Sequence, residues 1–252
     1  MPRTALITGA SAGLGVEFAR QLATQGHDLI LVARRLERLE ALAGELKQAH
    51  GIQVQSIAAD LCDPAAPAAI AAAAERPVDY LVNNAGASGP NLLEDRDWSA
   101  QDAFLRLMML SVAEMCHRFL PDMIERGWGR VINVASMAGR IARSAGGNYG
   151  PSKAYVIALS EELALMTAGT GVQVSALCPG FTHTEFHAAG GLDEMKAGLP
   201  GWVWYNADVV VREGIEAVER GQPVMLSGRL YRWIDPIARS ALVRPLVQRA
   251  NR

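Results

Sequence analysis

The feature that most constrains the fold is a regular alternation of short apolar segments with amphipathic helical segments. The first apolar segment, residues 4–8, is nearly continuous, as expected of a strand buried on both faces of a sheet. Such alternation predicts an α/β fold in which helices cover both faces of a parallel sheet. The segments that we predict as strands, about seven in number, are residues 4–8, 28–33, 53–57, 79–83, 131–135, 172–177 and 224–226. The segments that we predict as helices are residues 16–25, 36–46, 65–75, 100–126, 149–167 and 208–220.

The 252-residue chain has no linker, repeat or charge block that would split it, so we predict one main domain over residues 1–228. Within this domain the pattern loosens at residues 182–205, where glycines and tryptophans predict a lid or binding loop. The last segment, 229–252, contains six arginines and one aspartate. We predict an extension packed on or beside the domain, with its arginines in solvent; contact with a membrane surface or with a second subunit is the less favoured alternative.

Composition excludes several classes of function. A formal net charge of −2 argues against a general nucleic-acid-binding surface. The three cysteines lie far apart without a CxxC pair, so we predict no metal site and no disulfide. The start, Met-Pro-Arg followed at once by a strand, predicts no signal peptide, and no apolar run approaches the length of a membrane span. We therefore expect a cytoplasmic protein.

A glycine-rich turn joins the first strand to the first helix, with glycines at 9, 13 and 15. This layout aims backbone N–H groups and a helix N-terminus at an anion. Gly9-Ala-Ser11-Ala-Gly13 also has the form of a hydrolase nucleophile elbow. That alternative is disfavoured because only eight residues precede Gly9, too few for an oxyanion-hole loop, and because it leaves Gly15 unexplained. A dinucleotide site uses all three glycines, although their spacing is not G-x-G-x-x-G.

The end of the second predicted strand indicates which dinucleotide binds. An acidic residue at this place would hold the adenosine ribose of NAD, but the chain reads Ala33-Arg34-Arg35. Two guanidinium groups suit a 2′-phosphate, and cations are otherwise poorly placed at a helix N-terminus. The sequence therefore favours NADP(H) over NAD(H).

Tyr149 and Lys153 lie one helical turn apart, on one face of a predicted helix. A phenol near pH 7 is a weak acid, but a nearby cation favours the phenolate and lowers its pKa. The pair is therefore a candidate proton donor and acceptor. Pro151 fits this helix only in its first turn, which places Tyr149 at the helix start.

Together these residues resemble the short-chain dehydrogenase/reductase family. Its motifs occur in order over about residues 4–185. They are Thr8-Gly-Ala-Ser-Ala-Gly-Leu-Gly15, Asn83-Asn-Ala-Gly86, Ser136, Tyr149-xxx-Lys153 and Pro179-Gly180. The resemblance implies a Rossmann-like, doubly wound sheet and an NADP-dependent enzyme that moves a hydride between nicotinamide and a carbonyl or alcohol. It makes the main domain the dinucleotide-binding catalytic domain.

The resemblance also implies roles for individual residues. Tyr149 would be the general acid/base, Ser136 would hold the same substrate oxygen, and Lys153 would lower the pKa of Tyr149 and bind the nicotinamide ribose. The implied cofactor-binding residues are Gly9, Ser11, Ala12, Gly13, Leu14, Gly15, Arg34, Arg35, Asp60, Leu61, Asn84, Ala85, Gly86, Tyr149, Lys153, Pro179, Gly180 and Thr182. Members of the family are commonly dimers or tetramers, so we expect a homodimer or homotetramer.

Two residues depart from the family pattern. Ser111 stands where the family usually has an asparagine that ties a water to the lysine, so we include Ser111 among the catalytic candidates. It also motivates an alternative function, an NADP(H)-binding protein with reduced or lost catalysis. Ala12 replaces a basic residue found in many NADP-using members, which leaves the 2′-phosphate to Arg34 and Arg35.

The substrate pocket is predicted from apolar residues after the fifth strand and in the lid. We expect it to favour a largely apolar ketone, aldehyde or secondary alcohol. The residues predicted to line or close it are Met137, Ala138, Ile141, residues 144–148, Phe186, Leu192, Met195, Leu199, Trp202 and Trp204.

Overall fold

The computed structural model of the protein describes residues 2–94, 96–141, 147–183, 201–240 and 243. The strands are β1 (Thr4–Thr8), β2 (Asp28–Ala33), β3 (Val54–Ala58), β4 (Tyr80–Asn83), β5 (Gly129–Val134), β6 (Val172–Cys178), β7 (Phe181–His183), β8 (Trp204–Asn206) and β9 (Val224–Leu226). The α-helices are α1 (Gly13–Thr24), α2 (Leu36–His50), α3 (Ala66–Ala73), α4 (Trp98–Leu105), α5 (Ser111–Glu125), α6 (Tyr149–Met166), α7 (Ala207–Glu219) and α8 (Arg229–Arg239).

Seven of these strands form one parallel sheet in the order β3-β2-β1-β4-β5-β6-β9. Side chains alternate between its two faces: Ala5 and Ile7 pack in one apolar cluster and Leu6 packs in the other. Both clusters are closed by helices, which explains why the strand sequences are apolar throughout. The predicted α/β class and the predicted seven-stranded, doubly wound sheet are confirmed.

The long helix predicted at residues 100–126 is interrupted. A π-helical turn, Arg106–Leu110, separates α4 from α5 and directly precedes Ser111. A π turn widens the backbone by one residue and is frequent at functional sites. Helix α7 begins at Ala207, one residue before the predicted start at residue 208, with Asn206 as its N-cap residue and Asp208 in its first turn.

The two ends of the segment predicted as a lid, 182–205, lie in short strands, β7 and β8. There β7 and β8 pair in parallel as a separate two-stranded sheet, with Phe181 opposite Trp204. Backbone pairing between strands of three residues cannot be recognised in a segment whose sequence has no regular apolar pattern. Residues 184–200, with the predicted pocket residues Phe186, Leu192, Met195 and Leu199, lie outside the described residues.

The start of the arginine-rich segment forms α8, which packs on the domain through polar contacts. Asp235 is buried, whereas Trp233 on the same helix is 78% exposed. Within the described part of the chain, no helix is both long and apolar enough to cross a membrane. The expected cytoplasmic location, the expected absence of membrane contact and the division at residue 228 stay predictions.

Candidate active site

A cavity of about 760 Å³ opens at the carboxyl ends of the parallel strands. The sheet order reverses direction between β1 and β4, because the chain first adds β2 and β3 on one side and then β4 to β6 on the other. Open α/β sheets bind ligands in the crevice at such a switch point. The cavity therefore lies where the fold predicts a ligand site.

The glycine turn forms one wall of this cavity. Gly9 and Gly13 have positive φ angles of 67° and 56°, which other residues rarely adopt. Gly15 is buried behind the turn, where an added Cβ would lie 2.2 Å from the carbonyl oxygen of Gly9. The turn can follow this path only with these glycines, and it leaves the N-terminus of α1 facing the cavity.

Asn84 holds the turn from the neighbouring strand. Its side-chain amide donates to the carbonyl oxygens of Thr8 (2.9 Å) and Gly9 (3.3 Å). In return the Thr8 hydroxyl accepts from the backbone N–H groups of Asn84 (2.9 Å) and Ala85 (3.0 Å). These contacts join the two motifs that the sequence separates by 76 residues, and they fix the turn before any ligand binds.

Two exposed arginines line the cavity at the end of β2. The Arg35 guanidinium donates to the Ser11 hydroxyl at 3.1 Å, so one arginine already bridges to the glycine turn. Arg34 lies 4.0 Å from the Asp60 carboxylate, and its side chain is 75% exposed. An exposed ion pair at that separation is weak, which leaves the guanidinium able to bind another anion.

Tyr149 and Lys153 lie at the start of α6, with Pro151 in its first turn as predicted. The Lys153 ammonium is buried, donates to the Val134 carbonyl oxygen at 2.7 Å and lies 5.9 Å from the centre of the Tyr149 ring. Burial lowers the pKa of Lys153 to about 8. Lys153 is thus a cation held beside the phenol, in surroundings that disfavour its charge.

Ser136 faces the same cavity from the loop after β5. Its hydroxyl oxygen accepts from the Ala138 N–H at 3.1 Å and caps the short 3₁₀ helix Met137–Gly139. This bond uses an acceptor lone pair, so the hydroxyl proton can still be donated to a ligand oxygen.

A buried amide network supports this part of the site and was not predicted from the sequence. The Asn83 side chain donates to Asn133 (2.9 Å), which donates to Ser160 (3.0 Å) on α6. The network ties β4 and β5 to α6, the helix that also carries Lys153. Two asparagines paired near the ends of neighbouring strands are a usable signal, but only once the strand order is known.

Most predicted site residues meet in this one cavity. Those that line it are Gly9, Ser11, Ala12, Gly13, Leu14, Arg34, Arg35, Asp60, Leu61, Asn84, Ala85, Gly86, Ser136, Tyr149, Lys153, Pro179, Gly180 and Thr182. Gly15 supports the turn from behind. Ser111 lines a different, outer groove, and its hydroxyl donates to the Leu107 carbonyl in the preceding π turn at 2.7 Å.

The predicted pocket lining is correct in part. Met137 and Ala138 line the cavity, but Trp204 is buried against Phe181, with ring centres 5.1 Å apart, and is not among the lining residues that the structure describes. Sequence analysis missed several residues that do line the cavity, among them Pro90, Phe104, Leu107 and Tyr231. These residues come from the loop after β4, the interrupted helix and α8.

Comparison with known proteins identifies the family. The sequence matches a family model described as short chain dehydrogenase over residues 3–194. The chain belongs to this family. It is 30% identical over 180 residues to a 7beta-hydroxysteroid dehydrogenase of Collinsella aerofaciens, covering 71% of this chain and 68% of that protein. It is 39% identical over 185 residues to a sulfoacetaldehyde reductase of Chromohalobacter salexigens, covering 71% and 72%.

Among solved structures, a short-chain dehydrogenase from Sphingobium yanoikuyae in complex with NADPH is similar over nearly the whole chain. The TM-score is 0.83 at 31% identity, covering 97% of this chain and 96% of that chain. The resemblance seen in the motifs is thereby confirmed, and the protein is a short-chain dehydrogenase, an oxidoreductase of the class that uses a nicotinamide dinucleotide.

Proposed function

We propose that the protein is an NADP(H)-dependent oxidoreductase that transfers a hydride between nicotinamide and a largely apolar ketone, aldehyde or secondary alcohol. Tyr149 is its general acid/base. One observation carries the proposal: the Tyr149, Lys153 and Ser136 side chains face the same cavity as the glycine turn and the arginine pair. A proton donor and a dinucleotide site within one cavity are what hydride transfer to a carbonyl requires.

The cavity contains residues suited to bind the phosphate groups of the dinucleotide. The absence of side chains at Gly9 and Gly13 lets the pyrophosphate approach the backbone at the N-terminus of α1. Arg34 and Arg35 suit the 2′-phosphate because a guanidinium binds phosphate oxygens through its planar fork. The NADPH complex of the Sphingobium yanoikuyae relative supports the same choice of cofactor.

The cofactor supplies a hydride to the carbonyl carbon, and the protein handles the charge that develops on the oxygen. Tyr149 donates its phenolic proton to that oxygen, and Ser136 donates a second hydrogen bond to it. The Lys153 ammonium makes the proton easier to release because it stabilises the phenolate. In the reverse direction Tyr149 would accept the alcohol proton, and bound NADP+ would supply the hydride acceptor.

The lining residues favour an apolar substrate. Phe104, Leu107, Met137 and Phe181 line the same cavity as the catalytic candidates and are apolar. The named relatives act on molecules as different as a hydroxysteroid and sulfoacetaldehyde, so family membership leaves the substrate open. The lining is therefore the better guide to substrate class.

The test combines Tyr149→Phe with a matched control, Tyr155→Phe, on the same helix but outside the cavity lining. A panel of apolar and charged carbonyls is assayed with NADPH, and NADPH binding is followed by its fluorescence. We expect Tyr149→Phe to lose at least about 10³-fold in turnover, more than 4 kcal/mol of barrier, while NADPH binding persists. Unchanged turnover in Tyr149→Phe would exclude the assignment.

A second candidate function, NADP(H) binding with reduced or lost catalysis, is favoured by the position of Ser111. Its hydroxyl is bonded to the Leu107 carbonyl in the preceding π turn, and its side chain lines the outer groove rather than the cavity that Lys153 lines. Replacement by the family's usual residue, Ser111→Asn, separates the two functions. If the protein is a competent enzyme, turnover changes by less than about threefold, well under 1 kcal/mol of barrier. A large gain from a near-zero rate would favour the second function.

We further propose a homodimer or homotetramer, as is common in this family. Light scattering after gel filtration measures the mass, and a 27.0 kDa species at assay concentration would contradict the proposal.

A further inference from the structure

Helix α8 contacts two segments that border the catalytic end of the cavity, one that follows β6 and one that precedes β8. Tyr231 contributes its side chain to the cavity lining. Its hydroxyl donates to the Val203 carbonyl oxygen (2.9 Å) and accepts from the Phe181 N–H (3.2 Å). The hydroxyl of Tyr231 therefore connects α8 to the backbone of Phe181, after β6, and to the backbone of Val203, just before β8.

The Tyr231 ring also packs directly on Gly180. A Cβ added to Gly180 would lie 1.9 Å from a ring carbon, far inside contact distance. The φ angle of Gly180 is not in the left-handed region, so space for the ring, rather than backbone conformation, requires glycine here. The ring thus sets the position of the segment 179–182 along one wall of the cavity.

A second attachment joins α8 to the Ser136 turn. Arg140 follows the 3₁₀ helix that Ser136 caps, and its guanidinium donates two hydrogen bonds to the two carboxylate oxygens of Asp235. The two side chains are 14% and 5% exposed. A buried, bidentate ion pair fixes orientation as well as distance, and removing one partner would leave the other charge buried alone.

We propose that α8 is a clasp over the nicotinamide end of the site, with Tyr231 as a positioning residue. Tyr231 fixes the segment 179–182, and the Arg140–Asp235 pair holds the clasp to the turn that presents Ser136. The inference rests on the proposed function, since it assumes that the nicotinamide lies beside that segment. It predicts that α8 controls binding of the nicotinamide half of NADPH and leaves the adenosine half unaffected.

Calorimetric titration of Tyr231→Ala with two ligands, NADPH and adenosine 2′,5′-bisphosphate, tests this division. The second ligand keeps the 2′-phosphate and lacks the nicotinamide. We expect the Kd for NADPH to rise by about tenfold or more and the Kd for the fragment to change less than about twofold. Trp233→Ala, on the exposed side of the same helix, is the control and should change neither.

Equal losses for both ligands would show general damage and overturn the clasp, as would no loss for either. If wild-type protein binds neither ligand, the proposed function fails instead, so the two failures are distinguishable. Tyr231→Phe keeps the ring and removes only the hydroxyl bonds. It should show the same selective loss of NADPH affinity at a smaller size, which keeps the test decisive if the alanine variant does not fold.

The packing of Gly180 on Tyr231 allows a suppression test. Gly180→Ala places a methyl group in the space of the ring and should weaken NADPH binding. Adding Tyr231→Ala removes the obstruction, so the double variant should bind NADPH more tightly than Gly180→Ala alone. Additive losses in the double variant would mean that the two residues act independently, which contradicts the clasp.

The ion pair is tested by Asp235→Asn and the conservative Asp235→Glu. The first should raise the Kd for NADPH by about fivefold with the fragment unchanged, and the second should recover part of that loss. Arg220→Gln, which breaks the exposed pair between Arg220 and Glu216, is the control and should have no effect. Loss of fragment binding in Asp235→Asn, or equal behaviour of the two variants, would overturn the role of the pair.

Discussion

The two ends of the cavity are built in different ways. At the end formed by β1 and β2, the glycine turn and the arginine pair come from residues near one another in sequence; the bond from Arg35 to Ser11 spans 24 positions. At the catalytic end, Arg140 is bonded to Asp235 over 95 positions and Phe181 to Tyr231 over 50. Residues of one strand-turn-helix unit and the strand after it supply the first end, with Asn84 holding the turn from β4, whereas packing between several distant segments shapes the second.

The difference matches what we propose that each end recognises. A phosphate needs backbone N–H groups, a helix N-terminus and a cation, which a single strand-turn-helix unit can supply. A carbonyl substrate needs a surface of particular shape, here assembled from the loop after β4, the interrupted helix, the segment after β6 and α8. Mutations at the first end should therefore act through local backbone geometry, and mutations at the second through long-range contacts.

The largest expected effect is at the glycine turn. Gly15→Ala would place a Cβ 2.2 Å from the Gly9 carbonyl oxygen, so the turn must shift away from the path that binds the pyrophosphate. We expect NADPH affinity to fall by at least about 100-fold, close to 3 kcal/mol, in a fluorescence titration. Gly44→Ala is the control, because no atom lies within 4 Å of the added methyl on α2.

That control should leave affinity unchanged and stabilise the protein by about 0.5–1 kcal/mol, since alanine favours the helix interior over glycine. A Gly15→Ala variant that binds NADPH normally would show that the turn does not hold the pyrophosphate.

The arginine pair should have the next largest effect. Replacing both Arg34 and Arg35 by glutamine removes two cations from the cavity end without changing the turn. We expect the preference for NADPH over NADH to fall by about 10- to 100-fold, or 1.4 to 2.7 kcal/mol, mostly through weaker NADPH binding. Lys47→Gln is the control; Lys47 is exposed in the last turn of α2, the helix that begins directly after Arg35. An unchanged ratio in the double variant would refute the 2′-phosphate assignment.

At the catalytic end of the cavity we expect a smaller effect, a dependence of the rate of carbonyl reduction on pH. Because the pKa of Lys153 is lowered to about 8, its ammonium is lost as pH rises through that value. Carbonyl reduction at limiting NADPH and limiting substrate should then fall by up to about tenfold per pH unit above pH 8. Lys153→Met should be slow at every pH and lack this decline. A wild-type rate that stays flat to pH 9.5 would contradict the role of Lys153.

The loss of activity above about pH 8 can be distinguished from unfolding, because the contribution of Lys153 to folding stability changes with pH in the opposite direction. Between about pH 8 and the ordinary lysine pKa of 10.5, the folded protein binds fewer protons at Lys153 than the unfolded chain does. The contribution of this group to folding stability therefore rises with pH over the same range in which the activity falls. Thermal unfolding measured at pH 7.5 and 9 checks that the protein is still folded.

The sheet, and the meeting of the glycine turn and the arginine pair in one cavity, could be predicted from the sequence because both depend on local patterns. Apolar runs at strand length, a glycine turn and the residues ending β2 can each be read in a window of a few positions. The proposed catalytic residues were identified in another way: the spacing of Tyr149 and Lys153 made them candidates, and the family order of the motifs added Ser136.

What the sequence did not predict depends on contacts between distant segments. Nothing near Tyr231 in the chain marks it as a cavity residue, because its partners are Gly180, Phe181 and Val203. The π turn before Ser111 is likewise invisible in the helical pattern, since one widened turn shifts the register without changing residue types. Ser111 was therefore assigned to the catalytic set by motif alignment, although its side chain lines the outer groove.

The most direct test of the proposed function follows a deuterium atom. NADPH carrying deuterium at the transferable C4 position is incubated with the protein and a reducible apolar ketone, and the alcohol is analysed by mass spectrometry. The account predicts one deuterium on the carbinol carbon with wild-type protein and almost no product with Tyr149→Phe. An alcohol without deuterium, or labelled alcohol formed by Tyr149→Phe at the wild-type rate, would contradict it.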